Sequence, residues 1–401
     1  MRVILNGVSA LKPKTGVGHT TANLYRAVLE LGTADEFWLY PGSAVGSLAA
    51  RYLSHARPPR PIHNPTPTGG RAYKARLTDV AKAAYRAHLR ASARWGAFDL
   101  YHEPNFVPVP THLPTVVTVH DLSVLLNPEW HPADRVAFHE RHFLRGVAHA
   151  AHVIVVSESV RQEMITTFGT PPDRVTAILN GIAPQYFPRP AETIDAVRRK
   201  LGLPSRYLLA VGTIEPRKNI RTLLRAFCDL PASSRAACPL VLAGGWGWRS
   251  ESDRELFETQ ARPRGAVHLG YVADADLPDL YSGAEALFYP SFYEGFGLPP
   301  VEMLACGGGV VASTAAAVRE VAGGHAWLLD PHDLAGWRDA MRRVIDDRRA
   351  LDGCRHGGVA HARRFTWERA ARQTHGLYRN VMGLPAAPPA VSSRRAAAAA
   401  A

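Results

Sequence analysis

Cysteine is scarce. The 401-residue chain has four, Cys228, Cys238, Cys306 and Cys354, and no metal-type spacing relates them. In a chain this long they point to reduced thiols and a cytoplasmic setting, not a disulfide framework. No apolar run approaches the roughly eighteen residues that cross a bilayer as a helix. Residues 1–10 have too short an apolar stretch for a secretory signal and read better as a first strand. No HExxH occurs, and the histidines between His131 and His152 lack the spacing of a metal site, so they read as surface or packing residues. A reading helix or stacking aromatics at nucleic-acid-module positions are missing too, and no nucleic-acid partner is expected. Acid is short: 35 Asp and Glu face 47 Lys and Arg, a formal net charge of +12. Part of the excess is local, because residues 51–94 hold ten Arg or Lys and one acid, Asp79. Such a stretch is either a solvated arginine-rich helix or a face that docks on an anionic membrane surface.

What the chain does have is a repeated unit. A length of 401 residues favours two domains, and 46% hydrophobic with 20% charged residues is ordinary for a globular protein. Arg2–Asn6 reads as a strand, Lys12–Thr20 as a loop, and about Thr21–Leu31 as a helix. Gly16 and Gly18 in that loop would bring backbone amides against a ligand at the helix N-terminus. Phe37–Tyr40 reads as a strand and Arg71–Arg94 as a basic helix. Asp99–His102 and Thr115–Val119 are strands that run into Glu103 and into His120-Asp121. Val153–Val156 is a further strand, with Ser157 as N-cap of a helix Glu158–Phe168. Pro184–Glu192 breaks secondary structure and marks a linker.

The second half repeats the pattern. Tyr207–Val211, Leu240–Ala243, Val267–Leu269, Ala286–Tyr289, Val310–Ala312 and Ala326–Leu329 read as strands. Helices are expected at Ile220–Cys228, Ala275–Ser282 and Pro299–Ala305, as an Arg-rich helix over residues 333–362, and at Phe365–Val381. Pro385–Ala401 has no core-forming residues and reads as disordered. Strands alternating with helices imply parallel α/β sheets, whose ligands lie at the carboxyl ends of the strands.

One stretch carries most of the chemistry. Residues 294–302 read EGFGLPPVE, with Glu294 at a strand's carboxyl end and Glu302 one turn into the next helix. Gly295 and Gly297 permit close backbone approach, and Pro299 and Pro300 suit a first helical turn. Free amides and the helix dipole converge there on an anionic ligand, and the two carboxylates suit sugar hydroxyls. Earlier, Arg217 and Lys218 in GTIEPRKN sit at a strand–helix junction where cations would neutralise a diphosphate.

With its flanks, PSFYEGFGLPPVEMLACGGGVVAS resembles the E-x7-E signature of retaining glycosyltransferases of family 4, and the likeness runs over roughly residues 1–382. TVHDLS, the NG at Asn180-Gly181, GTIEPRKN and GYV match the family as well. The resemblance implies the GT-B fold: two Rossmann-like, doubly wound domains facing a cleft, with a C-terminal helix crossing back to the first. On that pattern residues 1–188 form the acceptor-side domain, 189–364 the nucleotide-sugar domain, 365–382 the crossover helix and 383–401 the tail.

The same likeness implies a hexose donor activated as a nucleoside diphosphate, GDP-mannose first, and a glycan or lipid-linked acceptor in surface polysaccharide synthesis. It assigns His120 to the donor sugar near the reaction centre, with Asp121 orienting it or capping a helix. His102 and Glu103 would line the acceptor pocket. Gly16 and Gly18 would face the acceptor and the donor phosphates. Lys218 and Arg217 would hold the diphosphate, Glu294 and the backbone of Gly295, Phe296, Gly297 and Leu298 the sugar ring, and Glu302 the ribose. Many members carry Arg where this chain has Thr213, and Arg217 is the residue that could substitute. Neither metal nor cofactor is implied. The alternatives are a sugar-nucleotide epimerase of related fold and a non-catalytic sugar-nucleotide-binding protein.

Overall fold

The structure is a computed structural model that describes residues 1–11, 16–41 and 70–385. Residues 12–15, expected from the sequence to lie in a loop, residues 42–69, which include the first part of the basic stretch 51–94, and the tail from 386 lie outside the described residues. Two six-stranded sheets, every neighbouring pair parallel, organise the rest. The first contains β1 (Arg2–Asn6), β2 (Glu36–Tyr40), β3 (Leu100–Glu103), β4 (Thr115–Val119), β5 (His152–Val155) and β6 (Val175–Ala177), in the order β2-β1-β3-β4-β5-β6. The second contains β7 (Leu208–Val211), β8 (Leu240–Ala243), β9 (Val267–Gly270), β10 (Ala286–Tyr289), β11 (Val310–Ser313) and β12 (Trp327–Leu329), in the order β12-β11-β10-β7-β8-β9. Strands β3, β4, β5, β8, β10 and β11 are buried along their whole length. Helices cover both faces of a parallel sheet, which is why these strands, apart from β3 with its polar His102 and Glu103, are largely apolar or β-branched runs instead of alternating ones.

Each strand order reverses once. In the first sheet the reversal falls between β1 and β3, in the second between β7 and β10. Loops leaving neighbouring strands at such a point diverge to opposite faces and open a crevice at the carboxyl edge. That crevice in the second sheet is bounded by the GTIEPRKN loop after β7 and the SFYEGFG loop after β10. Gly212 (φ 138°) and Gly244 (φ 145°) end β7 and β8, where a Cβ at 244 would stand 2.0 Å from the Gly212 carbonyl oxygen. Only glycine lets the two loops leave the sheet so close together.

The terminal helix Trp367–Val381 returns to the first domain. Its N-cap Thr366 accepts a hydrogen bond from the Arg369 amide at 3.1 Å. Ala370, Ala371, Leu377 and Tyr378 join Val3, Leu5, Leu24 and Tyr25 in the first-domain core. The Tyr378 hydroxyl is hydrogen-bonded to His102 Nδ1 at 2.6 Å, inside that core. Losing it would leave a buried imidazole nitrogen unpaired, a cost of about 1–3 kcal/mol. The crossing is tight at Gly181, where a Cβ would lie 2.2 Å from the Trp367 amide nitrogen.

Two helices depart from the sequence expectation. The first runs over Gly16–Leu29, so Gly16 and Gly18 occupy its opening turn and are not in a loop before it. Thr21 adapts by donating its hydroxyl back to the Val17 carbonyl at 2.8 Å, and packing of Leu24, Tyr25 and Val28 outweighs poor glycine propensity. Residues 333–362 do not form one helix but three pieces, Leu334–Asp346, Asp352–Arg355 and Gly358–Ala362. Asp347 is extended (φ −130°, ψ 105°) and Gly357 has φ 79°, and neither fits a continuous helix.

Candidate functional site

The second-domain wall of the cleft is built on three charged side chains. Arg217 and Lys218 close a single 3-10 turn after β7, begun by Pro216 and ended by Asn219 at φ 53°. Asn219 donates its amide to the carbonyls of Pro290 (3.1 Å) and Pro331 (2.8 Å), which pins the turn against the loop after β10. Glu294 on that loop is 6% exposed and meets both cations: Lys218 Nζ at 2.5 Å and Arg217 Nη1 at 2.8 Å. Tyr289, the last residue of β10, donates its hydroxyl to Glu294 at 2.7 Å and receives a bond from Lys218 at 2.8 Å. Burial works against ionising Glu294, but Lys218 and Arg217 outweigh it and hold the carboxyl down at about 2. For Lys218, burial comes first and, with Arg217 beside it, pulls the ammonium below its ordinary value against the opposing pull of Glu294. Glu215, 2% exposed, binds Arg217 Nε at 2.7 Å through one oxygen, while its other oxygen has no partner.

The first-domain wall comes from the turns after β3 and β4. His120 is 8% exposed and donates Nε2–H to the Pro104 carbonyl at 2.7 Å. Burial leads the shift of this imidazole below its ordinary value, so Nδ1 remains an acceptor. Asp121 accepts from the Ser123 amide (3.0 Å) and hydroxyl (2.7 Å). Burial opposes its ionisation, yet Arg217 from the opposite domain and the two Ser123 bonds keep the carboxyl below its usual range. At the reversal point, Glu103 is 4% exposed and collects donors from Tyr101 (2.6 Å) and Asn6 (2.7 Å). Burial nevertheless pushes it up to about 7.

The two walls touch. The His120 carbonyl oxygen lies where only a glycine fits, 1.7 Å from the Cβ that residue 295 would otherwise carry. Tyr293 donates its hydroxyl to Glu163 at 2.6 Å and accepts the Leu122 amide at 3.1 Å. Glu320 accepts the Glu158 and Ser159 amides at 2.9 and 3.1 Å, occupying the N-terminus of the helix Glu158–Thr166. Trp248 donates Nε1–H to the Trp130 carbonyl at 2.9 Å, and Trp130 stacks on Phe292 with centroids 6.0 Å apart.

Glu302 keeps different company. It sits in the helix Leu298–Ala305, half-buried, and accepts a bond from Tyr281 at 2.9 Å; burial raises it to about 7 against that bond and one from Tyr186. Neither tyrosine touches Glu294, whose partners are Lys218, Arg217 and Tyr289. Gly297 caps the same helix at φ 96°, Leu298 is its first residue, and Phe296 packs edge-on to Phe365 in the core at 5.8 Å. A Cβ at Gly16 would meet open space, and Gly18 is buried. One Asp-x-Asp pair, Asp274 and Asp276, does occur; Asp276 is ion-paired to Lys200 at 2.7 Å. Among the described residues, no group of three or more His, Cys, Asp or Glu is arranged to hold a metal ion, and no helix is long and apolar enough to cross a membrane.

Residues 15–186 match the model of Glycosyltransferase Family 4, and residues 193–358 that of Glycosyl transferases group 1. The O-antigen chain mannosyltransferase B of Escherichia coli is 33% identical over 387 residues, 94% of this chain and all of that protein. The chain belongs to glycosyltransferase family 4. Solved structures agree on a GT-B fold for this glycosyltransferase. Anabaena HepE, crystallised with UDP and glucose, aligns with a TM-score of 0.70 at 20% identity over 95% of this chain and all of its own. WaaG, a glycosyltransferase involved in lipopolysaccharide biosynthesis, aligns with a TM-score of 0.68 at 16% identity over 94% and 99%.

In this glycosyltransferase the structure brings Arg217, Lys218 and Glu294 together opposite His120 and Asp121. Sequence reasoning assigned no site role to Glu215, Tyr289, Tyr293, Trp130 and Trp248, and read His131 as a surface or packing residue; all six meet in the cleft walls. The aromatic members carry no motif of their own. Glu215 stands inside the GTIEPRKN segment, and its two-residue spacing from Arg217 was the available signal.

Proposed function

We propose that the enzyme transfers a hexose, with GDP-mannose the first donor to try, to a glycan or lipid-linked glycan in surface polysaccharide synthesis. Retention at the anomeric carbon and independence of metals and cofactors are part of the proposal. The observation that carries it is the convergence of Arg217 and Lys218 on Glu294 at the strand-order reversal of the second sheet, facing His120. The names of the E. coli mannosyltransferase and of HepE with UDP and glucose support the donor class.

The bond from the anomeric carbon to the diphosphate breaks, and its electron pair goes to the phosphate oxygen. Arg217 and Lys218 stabilise the charge that develops there, with Arg217 taking the place of the arginine absent at Thr213. Entry of the diphosphate releases Glu294 from the two cations and frees it to accept sugar hydroxyls. His120 Nδ1 accepts a further hydroxyl from the first-domain side, and Glu302 holds the ribose. The acceptor oxygen then bonds to the anomeric carbon on the face the phosphate left, and its proton passes to the departing phosphate oxygen. Closure of the two walls over the donor assembles the site.

The test is hydrolysis or transfer across a panel of nucleoside-diphosphate sugars, with and without EDTA, for wild type and Lys218→Ala. One donor turned over, EDTA-insensitively and only by wild type, is expected; a Lys218→Ala enzyme of unchanged rate refutes the role of that cation. We also assign the helix Gly70–Trp95 to an anionic leaflet. Trp95 at its end is 80% exposed, and Trp38 on the neighbouring sheet edge is 52% exposed. Equal sedimentation with phosphatidylglycerol and phosphatidylcholine vesicles would count against this assignment.

A further inference from the structure

His131 carries an unused acceptor in the wall of the cleft. The residue is 2% exposed, at the end of the turn Pro128–Trp130. Its Nε2 lies 3.0 Å from the Ser123 hydroxyl oxygen. That hydroxyl already spends its proton on Asp121 at 2.7 Å, so it can only accept, and the imidazole must be the Nε2–H tautomer. Nδ1 is then a bare lone pair, and it is buried with no partner. The ring faces Trp248 of the other domain at 5.9 Å between centroids, and the charge of Arg135, then those of Asp121 and Arg217, bear on it. It therefore stands where the two walls meet, beside the residues assigned above to the leaving diphosphate.

A buried, neutral nitrogen acceptor without a donor is rare in a finished core, because the desolvation is uncompensated. Burial leads in keeping this imidazole neutral, so the lone pair is available throughout the physiological range. Among the described residues, Ser123 supplies the hydrogen bond of the ring and nothing supplies a donor to Nδ1. Because the ring lies against Trp248 of the other domain, a group that enters between the domains with substrate is placed to supply that donor.

We infer that His131 Nδ1 accepts a hydrogen bond from a substrate hydroxyl in the cleft, held in register by the Asp121–Ser123 chain. The inference rests on the glycosyl-transfer reading, and hydroxyls are the donors that such substrates supply. They come from two sources, the donor sugar and the acceptor glycan.

Steady-state kinetics of His131→Asn, His131→Gln and His131→Ala separate the possibilities, using the nucleoside-diphosphate hexose that wild type turns over. Asparagine presents an acceptor near the place of Nδ1, whereas glutamine reaches toward Ser123 and lacks that acceptor. The expected result is a kcat/KM within about threefold of wild type for Asn and at least tenfold lower for Gln and Ala, at similar melting temperatures. Full activity in His131→Gln with loss in His131→Asn would reduce the residue to an anchor for Ser123 and overturn the inference. So would full activity in all three. Monodeoxy donors and acceptors identify the source: the substrate whose missing hydroxyl costs wild type tenfold costs His131→Ala nothing further. Losses that simply add for every deoxy substrate also overturn it. Absence of turnover by wild type with every donor would refute the transfer reading itself, a result distinct from any variant-specific loss.

Discussion

Replacing Glu294 by glutamine removes one charge and almost no volume, and the structure fixes what should follow. Here this carboxylate is the shared counter-ion of Arg217 and Lys218, whose side chains are 16% and 13% exposed. Breaking a buried pair from one side leaves uncompensated charge and costs about 3–5 kcal/mol. Glu215 and Asp121 still offset part of the Arg217 charge, so the lower end, about 3 kcal/mol, is the better figure. At roughly 2–4 °C per kcal/mol for a domain of this size, the melting temperature should fall by about 6–12 °C. Nucleoside diphosphate without sugar should then restore more in the variant than in wild type. It no longer competes with a carboxylate for the cations, and tenfold tighter binding would add about 1.4 kcal/mol at saturation. Turnover should nevertheless collapse, because the sugar loses its acceptor. The pH dependence has a definite sign. A carboxyl held near 2 is ionised in the folded state well below its unfolded value, so its contribution is present above pH 5 and lost as pH falls toward 2. Wild type should lose this increment on acidification and Glu294→Gln should not. Differential scanning fluorimetry with and without nucleoside diphosphate, from pH 3 to 8, reads both effects. Equal melting temperatures, with equal shifts by the diphosphate, would refute the competition between Glu294 and phosphate.

Gly295→Ala should drive the domains apart, since its Cβ would overlap the His120 carbonyl oxygen at 1.7 Å. A fall in kcat/KM of about a hundredfold and a larger radius of gyration by small-angle scattering are expected, and wild-type turnover would mean the closed contact is not used. Glu302, raised to about 7 by burial, runs opposite to Glu294. Its folded value lies above the unfolded one, so the stability it contributes is present below about pH 4.3 and lost as pH rises through 7. Glu302→Gln should flatten that decline, on the order of 2 kcal/mol after allowing for partial exposure. If Glu302 holds the ribose, the variant should also lose any strengthening of donor binding above pH 7; a titration curve shared with wild type would remove Glu302 from both roles.

The second domain was the more legible half because its chemistry is local. Ala286–Tyr289, Glu294 and the helix that follows lie within twenty residues, as do Leu208–Val211, Arg217 and Lys218. Strand, loop and helix there are fixed by apolar run, glycine and proline, and those signals act over a few residues. The helix Ile220–Cys228 and four strands, Arg2–Asn6, Thr115–Val119, Leu240–Ala243 and Ala286–Tyr289, coincide with the boundaries read from sequence, each strand an apolar or β-branched run stopped by a polar residue, a glycine or a proline. The first helix did not, because its opening glycines are held by packing of Leu24 and Tyr25 that no local propensity encodes.

The counter-ion role of Glu294 was illegible for a related reason. Spacing shows that a carboxylate follows a strand; it does not show that two cations 76 and 77 positions earlier in the chain will be its partners. The His131–Ser123–Asp121 chain is within ten residues and is still illegible, because its meaning depends on Trp248 arriving from the other domain. Local rules thus locate the groups that can do chemistry, and the closing of one sheet edge onto the other decides which of them are spent on each other until substrate enters. That is why the charge state of the cleft, and not its roster of residues, is the quantity that the Glu294 experiment reads.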